Sequence, residues 1–198
     1  MSVLSSLYQE IARCQQCELA KYRNRVVPGE GEEDADIVFI GEAPGWHEDQ
    51  QGRPFVGPAG QFLEELLASV GLKREEVYIC NVIKCRPPKN RDPLPGEIKA
   101  CQHWLDRQLE LIHPKMVVTL GRYSMARYFP RETISKVHGK TRREGDIIYY
   151  AMYHPAAALH QQNLRQIIKD DILKIPSLLA QVEKIPQAEE KPQQLSML

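Results

Sequence analysis

Four short apolar runs rich in β-branched residues limit the folds open to this chain more than any other feature. They are Asp36-Ile37-Val38-Phe39-Ile40, Val77-Tyr78-Ile79-Cys80-Asn81-Val82, Met116-Val117-Val118-Thr119-Leu120 and Ile147-Ile148-Tyr149-Tyr150-Ala151-Met152. Each is apolar at successive positions, the pattern of a strand covered on both faces. Helical patterns lie between them. Phe62, Leu63, Leu66, Leu67 and Val70 recur at helical spacing before Gly71, and Ile98 to Ile112 repeats the pattern after Pro95-Gly96. Strands alternating with helices predict an α/β fold: a three-layer αβα sandwich around a central four-stranded, mostly parallel sheet.

A chain of 198 residues fits one domain, expected over residues 1–183. The polar, proline-bearing stretch 184–198 is expected to be a disordered tail. No apolar run approaches the roughly 20 residues of a membrane span. The start MSVLSSLYQEIARC lacks the basic, apolar and small-residue blocks of a secretory signal, so a cytoplasmic monomer with no membrane partner is expected. The 26 basic and 26 acidic side chains cancel, which removes any global electrostatic argument for a nucleic-acid partner. Local clusters remain. Lys84, Arg86, Lys89 and Arg91 crowd one stretch and Lys136, His138, Lys140, Arg142 and Arg143 another; taken alone, either reads as a solvated loop.

In open parallel sheets ligands sit beyond the carboxyl ends of the strands. Three of the four strand ends here are chemically unusual. The first runs into GEAPGWHEDQQGRPFVGPAG, a segment dense in glycine and proline that suits a close backbone approach to a ligand. The second carries Asn81 and leads to Lys84-Cys85-Arg86-Pro87-Pro88, and the fourth ends in Tyr153-His154-Pro155. The third offers only Gly121-Arg122.

Of the five cysteines, Cys14 and Cys17 form C-x2-C, and Cys85 and Cys101 form C-x15-C around the proline-rich loop and the next helix. In a reducing compartment four such thiols read as a metal or iron–sulfur site, and spacing alone leaves zinc and [4Fe-4S] both open. Cys80, inside a strand, reads as a small buried hydrophobe.

GEAPG, the following GRPFVGPAG, N-x3-C-R-P-P-x-N-R, HPAAAL and four cysteines at these intervals together resemble a family 4 uracil-DNA glycosylase, the iron–sulfur branch of that superfamily. The match runs from about Cys14 to Leu159. The resemblance implies a [4Fe-4S] cluster on Cys14, Cys17, Cys85 and Cys101. It implies a uracil site made by Gly41, Glu42 and Ala43, the aromatic Phe55, Asn81 and His154, with Glu42 and His154 as the catalytic pair. Related glycosylases carry an aspartate at the position held here by Ala43. Glu48 and Asn90 rank below Glu42 as further polar candidates, and the backbone from Gly45 to Glu48 is where thymine would be excluded.

The residue types suit that chemistry. An enzyme that excises a base must first rotate the nucleotide into a fitted pocket. Phe55 offers a flat face for the base. The Asn81 amide pairs a donor with an acceptor, matching uracil O4 and N3–H, whereas cytosine presents the reverse and would leave both unpaired. His154 can donate to uracil O2 as charge grows there, while Glu42 steadies the cationic sugar and orients water. Lys84, Arg86, Lys89, Arg91, Lys140, Arg142 and Arg143 are the expected phosphate contacts on uracil-containing DNA, single- or double-stranded. Leu159 could wedge into the vacated stack, or simply be a core leucine at a helix start. The expected product is an abasic site, the first step of base excision repair, with no lyase step. Two rivals are a noncatalytic nucleic-acid-binding module and a zinc-stabilised nucleotide-binding protein.

Overall fold

The computed structural model describes residues 2–183, so the tail expected over 184–198 lies outside the described residues. Six strands form one sheet: β1 (Glu30–Gly31), β2 (Ile37–Gly41), β3 (Tyr78–Asn81), β4 (Met116–Leu120), β5 (Thr141–Glu144) and β6 (Ile147–Met152). Their spatial order is β1-β3-β2-β4-β6-β5. The β3-β2-β4-β6 core is parallel throughout, in register Val38↔Tyr78, Val38↔Val117 and Val117↔Tyr149. These are the four predicted runs. The expectation of four strands is corrected to six by short antiparallel strands, β1 and β5, at the two edges. Thr141-Arg142-Arg143-Glu144 is exposed at every position, so it pairs through its backbone and carries no apolar signal.

The helices are α1 (Val3–Ala12), α2 (Trp46–Gln51), α3 (Pro58–Ser69), α4 (Pro95–Ile112), α5 (Arg122–Ala126), α6 (Ile134–Val137), α7 (Ala157–His160), α8 (Gln162–Ile172) and α9 (Ile175–Glu183). Successive strand residues face opposite sides of a sheet. Val38, Ile40, Tyr78, Cys80 and Val117 therefore pack with Leu7 and Ile11 of α1 and Leu105 and Ile112 of α4. Ile37, Phe39, Ile79 and Val118 pack on the other face with Leu63 and Leu66 of α3 and Ile168 of α8. This gives the expected three layers, and Cys80 is a buried core residue. Full burial of a side chain such as Phe39 contributes about 1.5–3 kcal/mol.

From β2 the chain crosses to β3 on one side and returns past β2 to β4 on the other. That reversal opens a crevice at the carboxyl ends of the strands. The segment after β2, read as one loop, contains the short helix α2 before it reaches α3.

Candidate active site

A cavity of about 240 Å³ occupies this crevice, lined among others by Glu42, Ala43, Gly45, Phe55, Asn81 and His154. Each of these arrives from a strand end or from the loop that follows one. Asn81 closes β3 and is buried, and its Oδ1 has no hydrogen-bond partner. A buried carbonyl oxygen left unpaired costs about 1–3 kcal/mol, so this atom is an acceptor waiting for a donor.

His154 follows β6. Its Nδ1 accepts a hydrogen bond from the Ala156 N–H at 3.1 Å, which leaves the ring proton on Nε2. Burial holds its pKa down to about 4, against a weaker upward pull from Glu48. The imidazole is therefore a neutral donor near pH 7. Its ring stacks on Phe55, with centroids 5.5 Å apart.

Glu42 lines the cavity from the first strand end, its Oε1 accepting from the Tyr123 N–H at 3.2 Å. Burial pushes its carboxyl above the usual range, and the backbone N–H groups of Tyr123 and Arg122 oppose that shift. Gly121, at φ +95°, permits this seat, because a side chain there would stand 2.5 Å from Glu42 Oε1. In the sequence the end of β4 offers only Gly121-Arg122, and nothing there signals this role.

Gly41 lies behind the wall, against Asn81 and Phe55. A Cβ at Gly41 would fall 2.6 Å from Phe55 Cζ and collide with Asn81 Oδ1. Gly41→Ala is accordingly expected to raise KM for the substrate of this cavity about tenfold, at an overpacking cost of about 1–3 kcal/mol. Steady-state kinetics beside a thermal melt measures both.

The rigid loop has two braces. Glu48 accepts from the N–H groups of Val56 at 2.9 Å and Gly57 at 2.8 Å through Oε1, and from that of Gly45 at 3.0 Å through Oε2. Ranked in sequence as a second acidic candidate, it is committed to backbone. Arg74 is the other brace. Its buried guanidinium donates to the carbonyls of Pro54 and, at 3.0 Å, Phe55, holding Phe55 at φ +52°, a backbone region unfavourable to phenylalanine. Local patterning carries no signal for Arg74, which reaches this loop from 19 and 20 residues away.

The basic residues divide. Lys84, expected on a phosphate, is buried at 1% exposure with Nζ donating to the Asn81 carbonyl at 2.8 Å; that expectation is corrected, because the side chain folds back under the site. Lys89 and Arg91 are exposed, Arg86 is half-buried and donates to Asn90 Oδ1 at 2.6 Å, and Arg91 lines the cavity while pairing with Glu97 at 2.6 Å. Arg142 lies on the edge strand β5, donating to the Tyr128 carbonyl, and the register carries Arg143 toward the end of the sheet opposite the cavity. Leu159 is 45% exposed on α7, so it is not a core leucine.

Cys14, Cys17, Cys85 and Cys101 line one second pocket, between α1, the loop after β3 and α4. Three N–H groups point at their sulfurs: Trp104 Nε1 to Cys14 at 3.3 Å, Arg23 Nη1 to Cys85 at 3.1 Å and the Lys84 backbone to Cys101 at 3.3 Å. Donors of this kind stabilise thiolates. Burial outweighs the lowering pull of Lys84 and, with the neighbouring thiols, pushes the Cys101 thiol up to about 11, so a thiolate there calls for a bound cation. Among the described residues, no three His, Cys, Asp or Glu side chains form a ready-made site for one metal ion. The four cysteines share the lining of one pocket.

The sequence pattern of the Uracil DNA glycosylase superfamily matches residues 28–174. The chain belongs to this superfamily. Among its relatives, a Type-4 uracil-DNA glycosylase of Archaeoglobus fulgidus is 48% identical over 187 residues, covering 90% of this chain and 94% of that protein. One of Sulfurisphaera tokodaii is 47% identical over 188 residues, covering 90% of this chain and 86% of that protein. One of Saccharolobus solfataricus is 44% identical over 190 residues, covering 91% and 88% respectively. In this superfamily member, the carboxyl ends of the parallel strands bring Glu42, Phe55, Asn81 and His154 to one cavity, with Ala43 beside them and Gly41 behind. Among the described residues no helix is long and apolar enough to cross a membrane.

Proposed function

We propose that this chain is a monofunctional uracil-DNA glycosylase that hydrolyses the N-glycosidic bond of a uracil flipped out of DNA and leaves an abasic site. The observation that carries the reading is the orphaned, buried Asn81 Oδ1 in a cavity shared with a neutral His154. In this reading uracil N3–H donates to Asn81 Oδ1, and the amide Nδ2 donates to O4. Phe55 lies against the base. As the bond from C1′ to N1 breaks, negative charge spreads to O2, where His154 Nε2–H donates to it without giving up its proton. Glu42 faces the cationic sugar and orients the water that attacks C1′. The attacking water gives up one proton to solvent and the released uracil anion takes one from it, so the hydrolysis balances.

Arg86, Lys89, Arg91 and, farther out, Arg142 contact phosphates, while exposed Leu159 fills the gap in the stack. The names of the relatives, Type-4 uracil-DNA glycosylases, support the substrate. Cys14, Cys17, Cys85 and Cys101 hold a [4Fe-4S] cluster, supported by four sulfurs around one pocket and three N–H donors aimed at them. When bound, the cluster ties the N-terminal helix to the loop after β3 and takes no part in bond cleavage. The reading makes the enzyme a cytoplasmic monomer in which these thiols stay reduced.

The test is release of free uracil from single- and double-stranded oligonucleotides carrying one uracil, with cytosine- and thymine-containing controls. Release from the uracil substrates alone is expected. Asn81→Ala should lower kcat/KM by about 10- to 100-fold, the loss of one or two buried hydrogen bonds. A parent protein that binds these oligonucleotides and frees no uracil would leave only the noncatalytic module.

A further inference from the structure

Lys84 is a fully buried lysine that the proposed chemistry does not use. Among the described residues the hydrogen bond from its Nζ goes to a neutral group, the Asn81 carbonyl, at 2.8 Å. Its backbone N–H points at Cys101 Sγ, and Lys84 is among the residues that line the pocket shared by the four cysteines.

A buried ammonium with only a dipole for company is costly and needs an anion nearby. Iron-bound thiolates supply that anion. The strand end between the two sites is short and fully tied. Val82 N–H donates to the Gly41 carbonyl at 3.1 Å, Ile83 N–H to the Glu42 carbonyl at 3.3 Å, and the Lys84 carbonyl accepts from Val27 N–H at 2.8 Å. One residue thus meets the cysteine pocket with its backbone and the base-reading asparagine with its ammonium.

We propose that Lys84 is a positioning residue: it is the buried counter-charge of the iron-bound thiolates, and through the Asn81 carbonyl it fixes the amide that reads uracil. The proposal rests on the glycosylase reading for its second half and on the cysteine site for its first. Its claim is that the two sites are coupled through one side chain.

The test compares Lys84→Met, which removes charge and donor while keeping an unbranched buried chain, with Lys84→Gln, which keeps a donor and removes the charge. Parent holoenzyme is first shown to release uracil, so that failure of the function and failure of this inference are separate results. Free uracil is the binding probe, titrated by calorimetry, and the cluster is followed by protein-film voltammetry and by iron loss to a chelator.

Removing a neighbouring positive charge disfavours the more negative, reduced cluster, so both variants should show a lowered midpoint potential and faster iron loss. Lys84→Met should bind free uracil about tenfold more weakly, the value of one hydrogen bond from a charged donor, with Lys84→Gln closer to the parent. A parent-like potential in either variant, or parent-like uracil affinity in Lys84→Met, would overturn the coupling. If Lys84→Met does not accumulate folded, Lys84→Gln decides through its potential: lowered supports the proposal, unchanged refutes it.

Discussion

His154→Ala is expected to lower kcat for uracil release by about 10²–10³, the loss typical of one donor aimed at a developing oxyanion. The effect should fall on kcat more than on KM, since the charge on uracil O2 exists only as the bond breaks. Because burial holds His154 near 4, the parent's pH–rate profile should show no step from this group between pH 6 and 8. The sign for stability follows from the same shift. Between pH 4 and the ordinary value of 6.5 the unfolded chain holds more protons than the folded one. The contribution of neutral His154 is therefore complete above about 6.5 and is lost as pH falls toward 4, so His154→Ala should flatten that limb of the melting curve. An imidazole titrating near 6.5 by NMR would reverse this account.

The second large effect belongs to a residue that touches backbone only. Glu48→Ala strips acceptors from the N–H groups of Gly45, on the wall of the cavity, and of Val56 and Gly57, which directly follow Phe55. Buried donors left unpaired cost about 1–3 kcal/mol each, so the loop should lose its order and activity should fall by more than 10³. Glu42→Gln offers the contrast. It should slow turnover while leaving the melting temperature within a degree or two of the parent, since Glu42 braces nothing comparable. Melting curves and hydrogen exchange over residues 45–57 distinguish a brace from a reacting acid. Equal melting temperatures for the two variants would return Glu48 to the list of catalytic acids.

Much of the site could be read in advance because its chemistry sits at strand ends, where the apolar run stops and an unusual polar residue begins. Asn81 and His154 stand there, and Glu42 follows one residue after β2. Phe55 stood out for the opposite reason: it is an aromatic on no periodic face. Other features were hidden for definite physical causes. β5 pairs through its main chain and buries no side chain, so hydrophobic patterning had nothing to register. Lys84 keeps company in sequence with Arg86 and Lys89, and composition cannot reveal that its stem turns inward to Asn81. Glu48 looks like any acid in a polar loop until Val56 and Gly57 fold back onto it. Arg74 belongs to a charged turn, and its partners, Pro54 and Phe55, become neighbours only in three dimensions.

The double bracing of the loop by Glu48 and Arg74 bears on which lesions are met first. A mould set before its guest arrives has little means of drawing that guest out of the helix. Selection then passes to the nucleic acid, where a uracil facing guanine, or facing nothing, swings free at less cost than one well paired with adenine. On that account the order in which uracils are cleared along a genome is written in the local melting of the duplex.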